Sequence, residues 1–295
     1  MGWLPWEQGV AIGVALVVAM FLTRGREHGR WPQFRSFCAE ASIIAFLYAL
    51  WVLAGRLSVL QVDGAIERGA QLWEFERSIG LPNEKVWQDA LRPHSKLTQA
   101  ANLYYASAHV AGMGVFLVWL FFWHKGVLPV WRNTLALLTG SCLVIQLIPV
   151  APPRLVDSLG VVDTGLEYGQ SVYGTLGYTI AGQLQAMPSI HVAWAALIGW
   201  GMWKEGTSVW RWVGPVHAVA TMYVVAVTGN HYWVDGIVAI ILMVVLYPLA
   251  SRLATWSSKI SAAQRQRVDG PKETLTVASS NVSHDDKSEV GVSSP

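Results

Sequence analysis

Cysteine and charge are both scarce in this chain of 295 residues. Its two cysteines, Cys38 and Cys142, are far apart and lie in or beside apolar runs, which excludes a disulfide framework and leaves each as a small buried hydrophobe. Asp, Glu, Lys and Arg make up 14% of the residues against 53% hydrophobic, too little polar surface to coat an ordinary soluble domain. The net charge of +2 is sorted by loop and not pooled in one patch, so no nucleic-acid partner is expected. There is no internal repeat.

What the chain has instead is apolar runs. Crossing about 30 Å of hydrocarbon takes roughly 20 mostly apolar residues per helix. Stretches near residues 8–23, 40–60, 103–123, 133–150, 188–204, 209–228 and 232–250 come close to that. The first lacks a basic leader and a small-residue cleavage site, so it reads as a retained anchor. Basic residues collect in alternate loops: Arg24, Arg26, Arg30 and Arg35, then Lys125 and Arg132, then Lys204 and Arg211, then the tail from Arg252. The positive-inside rule puts those loops and the tail in the cytoplasm and the N-terminus outside, in an expected plasma-membrane location.

Three regions follow: an anchor and basic loop (1–39), a membrane domain (40–252) and a polar tail (253–295) expected to be disordered. The tail's "NVS" at Asn281 has no meaning as a glycosylation signal in the cytoplasm. Residues 64–91 mix apolar anchors (Ile66, Trp73, Leu81) with acids and bases too often to span, and suit one or two interfacial helices. Trp3, Trp6, Trp123, Trp131, Trp210 and Trp212 lie near span ends, where indoles favour the headgroup layer.

Polar residues interrupt three spans at the same, outer end. "PVAPPRL" ends one at Pro149–Leu155, "PSIH" opens another at Pro188–His191, and "NHYWVD" opens the last at Asn230–Asp235. Arg154, Ser189, His191, His231 and Asp235 thus share one depth, and ionisable groups there are costly enough to imply use. Arginine offers a planar fork matched to two phosphate oxygens. Pro152 and Pro153 are expected to stop the preceding helix and aim Arg154. Pro188 suits a first helical turn, with Ser189 and nearby amides forming an anion site. His231 and Asp235, spaced i, i+4, share a helix face, so the carboxylate can orient the imidazole.

Tyr105 and His109, four apart near the outer end of their span, and Asn230 are further substrate-binding candidates. Residues 163–183, with glycines among tyrosines, suggest a flap. His217 reads as a packed histidine.

These blocks resemble the three signatures of the phosphatidic acid phosphatase type 2 superfamily, in particular its branch around inositol phosphorylceramide synthase, over roughly residues 40–250. The resemblance implies an all-α, polytopic membrane fold, with a six-helix phosphatase-type core and one extra N-terminal transmembrane helix. It also implies a lipid phosphatase or phosphotransferase that works through a phosphohistidine, independent of metal and with no cofactor. By that analogy His231 attacks phosphorus, Asp235 orients and activates it, His191 protonates the departing oxygen, and Arg154 and Ser189 hold the phosphoryl oxygens. The pattern departs from the common one at Leu147, where a lysine is usual, and at Val225, where an arginine is usual. The synthase-like branch tends to lack the same two cations and to carry the pair seen in His231-Tyr232.

The expected partner is a membrane lipid. Inositol phospholipids, phosphatidate-like lipids and polyprenyl phosphates all fit, and water and a lipid or polyol hydroxyl are both open as acceptors. A haem or metal carrier using His109, His191 and His231 leaves Arg154, Ser189 and Asp235 without a purpose. A lipid-phosphate transporter or flippase needs Arg154 but not both histidines.

Overall fold

The computed structural model describes residues 4–26, 28–57, 63–171 and 183–269. Among the described residues there are ten α-helices and no strand, as expected of an all-α membrane protein. The described residues up to Ala254 form one compact unit, and the described residues from Thr255 onward belong to a second.

The first two helices, α1 (Trp6–Leu22) and α2 (Trp31–Leu57), form a hairpin. Gly9 lets them touch, since a Cβ there would lie 3.1 Å from the Cβ of Ala49. A helix end leaves carbonyls without intrahelical partners. Arg35 of α2 answers this for α1: its Nη1 donates to the carbonyls of Thr23 at 2.7 Å, Arg24 at 3.0 Å and Arg26 at 3.2 Å. The basic loop is therefore shorter than the sequence suggests, and residue 39 falls inside α2.

Segment 64–91 forms two short helices, α3 (Ala65–Ser78) and α4 (Glu84–Leu91), neither long enough to span. Then come α5 (Ser95–Trp123), α6 (Leu128–Ile145), the single turn α7 (Thr164–Glu167), α8 (Ile190–Glu205), α9 (Val213–Val227) and α10 (Trp233–Asp269). By length and composition, α5, α6 and residues Trp233–Lys259 of α10 can cross a membrane. With 16 and 15 residues, α8 and α9 are shorter than the hydrocarbon layer at ~1.5 Å per residue. α8 is flanked by α5, α6 and α9, with Ala193, Ala195 and Leu197 fully buried, so it meets protein where a full-length span would meet lipid.

Lipid is as apolar as leucine, so helix association there relies on close packing of small residues. Gly199 of α8 illustrates this, since a Cβ on it would lie 3.2 Å from the carbonyl oxygen of Gly214 in α9. Trp131 departs from the headgroup-belt expectation. It is fully buried, packed near Phe116 and Tyr247, and its indole donates to Glu205 at 3.2 Å. Trp123, Trp210 and Trp212 are exposed, and Trp3 lies outside the described residues.

The last helix continues to Asp269, past residue 252, because the polar stretch there is rich in good helix formers such as Ala, Gln, Arg and Lys. The tail from residue 270, including Asn281, and residues 172–182 of the expected flap lie outside the described residues.

Candidate active site

A chain reversal builds the mouth of α10. After α9 ends at Val227, Gly229 adopts φ 71°, and the amides of Asn230 and His231 both donate back to the Val225 carbonyl at 3.1 Å. Only glycine suits position 229, because a Cβ would also approach Val161 to 2.8 Å and Arg154 to 3.1 Å.

His231 therefore sits in the lead-in turn, ahead of a helix that begins at Trp233, and not on a helix face with Asp235. The pair still meets. Asp235 Oδ2 accepts from the Tyr232 amide at 2.9 Å and lies 3.3 Å from His231 Nδ1. The same Nδ1 is 2.7 Å from the Ala186 carbonyl oxygen. Both neighbours are acceptors, so Nδ1 carries the proton, and a neutral imidazole keeps its lone pair on Nε2.

The mouth of α8 is joined to this turn. Ser189 is its N-cap: Oγ accepts from the Val192 amide at 3.3 Å, while the Ser189 amide donates to the Asp235 carbonyl at 3.2 Å. Pro188 thus precedes the cap and lies outside the first turn, its carbonyl held by Gln146 Nε2 at 2.8 Å. His191 follows, with its ring centroid 5.5 Å from that of His231. Tyr105 stacks on His191 at 4.2 Å and 18°, and His109 meets it at 4.0 Å. Tyr105 and His109, the two α5 residues read from sequence as headgroup contacts, are both buried against His191. His217, read as packed, is bonded through Nδ1 to the Tyr104 hydroxyl at 2.5 Å.

Arg154 comes from a different local structure than its prolines suggested. α6 ends at Ile145, well before Pro152, and the prolines shape a 3-10 turn at Pro153–Leu155. The Arg154 amide donates to the Gly229 carbonyl at 3.0 Å, and Nε donates to Asn230 Oδ1 at 2.9 Å. Its Nη1 donates to Asp163 Oδ2 at 2.8 Å and Gln183 Oε1 at 3.0 Å. Asp163 also caps α7 through the Leu166 amide at 2.8 Å. Beside this pair is a narrow recess of about 10 Å³, lined by residues that include Asn102, Tyr105, Asp163, Gln170, Ser171 and Asn230.

Neither departure position supplies a cation: Leu147 is 47% exposed and Val225 is buried in the core. Arg154, expected from the sequence to bind phosphate, directs its guanidinium to Asp163 and Asn230.

Two buried acids inconspicuous in the sequence adjoin the mouth of α10. Glu76 Oε1 accepts from the Val234 amide at 2.6 Å, and Glu84 Oε1 accepts from the Trp233 amide at 3.3 Å. Both are fully buried, and Arg77 reaches Glu84 at 2.9 Å and Glu76 at 3.4 Å. Burial first, and then hydrogen bonding to Glu84 and the charge on it, push the Glu76 carboxyl far above the usual carboxylate range. A signal existed in the sequence. Ala65, Gly69 and Glu76 lie along the buried side of α3, and a carboxylate that continues a stripe of small residues is out of place unless it has a partner.

No curated protein and no solved structure matches the chain. A family model described as the PAP2 superfamily matches residues 70–249, from within α3 to within α10, and takes in Arg154, Ser189, His191, His231 and Asp235. The match covers more than half of the sequence, and the chain is thus a phosphatase-type membrane enzyme belonging to the PAP2 superfamily.

Proposed function

We propose that the protein is a lipid phosphotransferase that takes the phosphoryl-bearing headgroup of a phosphodiester lipid onto His231 and passes it to an acceptor hydroxyl. The observation that carries this reading is the state of His231. With Nδ1–H held by Ala186 and Asp235, Nε2 is the nitrogen with a lone pair to offer phosphorus. In the first step the Nε2–P bond forms and the bond from phosphorus to the lipid oxygen breaks, with His191 giving that oxygen its proton. In the second step the deprotonated His191 takes the proton of the acceptor hydroxyl, whose oxygen displaces His231. Asp235 steadies the imidazolium character that develops on His231. Arg154 and Ser189 hold phosphoryl oxygens, and Tyr105, His109 and Asn230 shape the headgroup side.

The preference for a diester rests on charge. Arg154 already faces Asp163, and Leu147 and Val225 stand where two more cations are usual. A monoanionic diester suits that balance better than a dianionic monoester. The polar lining beside Arg154 suits a hydroxyl-rich headgroup, which favours the inositol phosphorylceramide synthase-like branch. The site works without metal and faces away from the cytoplasm, in the plasma membrane, with the tail on the cytoplasmic side.

A substrate panel tests the reading. Purified protein in mixed micelles is offered phosphatidylinositol, phosphatidate and a polyprenyl phosphate, each with and without a long-chain alcohol acceptor. Transfer from phosphatidylinositol to the alcohol, exceeding hydrolysis of either monoester, is expected. Rapid release of inorganic phosphate from the monoesters, without transfer, contradicts it.

A further inference from the structure

The first three amides around the start of α10 each meet a carboxylate: Tyr232 that of Asp235, Trp233 that of Glu84 and Val234 that of Glu76. Two of these acids belong to neither the catalytic turn nor its helix. They come from α3 and α4, across sequence separations of 158 and 149 residues. We propose that Glu76 and Glu84 are positioning residues for the reaction, clamping the turn that carries His231 so that its imidazole stays on Asp235 and the Ala186 carbonyl. This rests on His231 being the reacting group.

Cost is the first reason. A helix start is satisfied cheaply by a local Ser, Thr, Asp or Asn cap, whereas burying carboxylates demands full compensation by partners. Here that compensation is in place. Each acid accepts an amide at the positive end of α10, and Arg77 bonds both. Stability of the helix start alone does not require this arrangement, whereas a fixed origin for the turn does.

Convergence is the second. The same turn is gripped at Tyr232, whose hydroxyl donates to the Ala151 carbonyl at 3.0 Å, and Gly69 of α3 leaves room for that contact. Ala65 of α3 in turn accepts the Ala151 amide at 2.9 Å. α3 thus holds both the catalytic turn and the strand-like segment leading to Arg154. A displacement of about 1 Å in a reacting group can cost a hundredfold in rate, so a loosened clamp acts on turnover more than on substrate binding.

The experiment compares Glu76→Gln, Glu76→Met, Glu84→Met, Asp235→Asn, the double variant Glu76→Met/Asp235→Asn and His231→Ala. Each is assayed by transfer from phosphatidylinositol to a long-chain alcohol in mixed micelles, with folding checked by thermal unfolding in detergent. Glutamine keeps a carbonyl for the Val234 amide and an N–H for Glu84, so Glu76→Gln is expected to retain turnover within about threefold. Methionine keeps volume but no strong acceptor. Both Met variants are expected to lose roughly tenfold to a hundredfold in kcat, with KM changed by less than about threefold. Because Glu76 and Asp235 act on one imidazole, the double variant should lose far less than the product of the two single losses. Multiplying losses, or a folded Met variant with wild-type kcat, overturns the clamp. If Glu76→Met fails to fold, Glu84→Met carries the same test. The two failures are separable. A folded and active His231→Ala overturns the site itself, whereas an inactive His231→Ala beside a fully active Glu76→Met overturns the positioning role alone.

Discussion

Arg154 and Asp163 form an ion pair of 2.8 Å in which the arginine side chain is only 1% exposed. An incoming phosphoryl group must share this arginine with a carboxylate already bonded to it. That makes Asp163 a determinant of substrate charge. Asp163→Asn removes the counter-charge and leaves a side-chain oxygen for the Leu166 amide. It is expected to raise kcat/KM for phosphatidate relative to phosphatidylinositol by about tenfold, equivalent to about 1.4 kcal/mol. Parallel kinetics on the two lipids measure it, and an unchanged ratio removes Asp163 from selectivity.

Gly69 provides a packing test. A Cβ there would come within 2.7 Å of the Ala151 carbonyl oxygen and 2.8 Å of the Tyr232 hydroxyl, neither of them a flexible chain end. Gly69→Ala is expected to lower stability by about 1–3 kcal/mol, the usual cost of overpacking, and to reduce turnover as the Tyr232 contact opens. Thermal unfolding in detergent alongside activity measures both, and an unaffected variant shows that α3 does not press on the turn.

Much of this was legible from residue types. Arg154, Ser189, His191, His231 and Asp235 are ionisable or polar residues at the ends of apolar runs, and such residues are conspicuous because the bilayer makes them expensive. Their local geometry was less legible. The i, i+4 spacing of His231 and Asp235 predicts a shared helix face, but Gly229 and the bonds back to Val225 delay the helix to Trp233. Pro152 and Pro153 predict a helix stop, yet α6 has already ended at Ile145. Glu76 and Glu84 were hidden for another reason. In a segment with many charges a buried acid looks like a solvated one, and its partners, the Val234 and Trp233 amides, lie about 150 residues away. Trp131 shows the same limit, since an indole near a span end can face headgroups or, as here, fill the core.

The charge of the loops sets only the expected topology. A cysteine at exposed Ser158, with native Cys38 and Cys142 fully buried, reports the side of the membrane on which the Arg154 segment lies. Ser158→Cys is expected to react with an impermeant maleimide applied to intact cells. Labelling only after the cytoplasm is opened places the site on the other face.

Metal dependence is tested by chelation. The two carboxylates of the site are already engaged, Asp163 by Arg154 and Asp235 by the Tyr232 amide beside His231, which leaves a poor oxygen-ligand set for magnesium or calcium. Turnover is expected to be unchanged in EDTA, and a loss restored by added magnesium refutes a metal-free mechanism.

The central claim is that His231 becomes covalently bonded to phosphorus, and the direct measurement is to trap that species. Rapid acid-free quenching of the enzyme with phosphorus-labelled phosphatidylinositol, followed by peptide mapping, is expected to find an acid-labile label on His231. The label should be absent from His231→Ala and slow to form in Asp235→Asn, whereas in His191→Ala its formation should recover with an activated aryl leaving group. A label on His191, or wild-type turnover by a folded His231→Ala protein, contradicts the account.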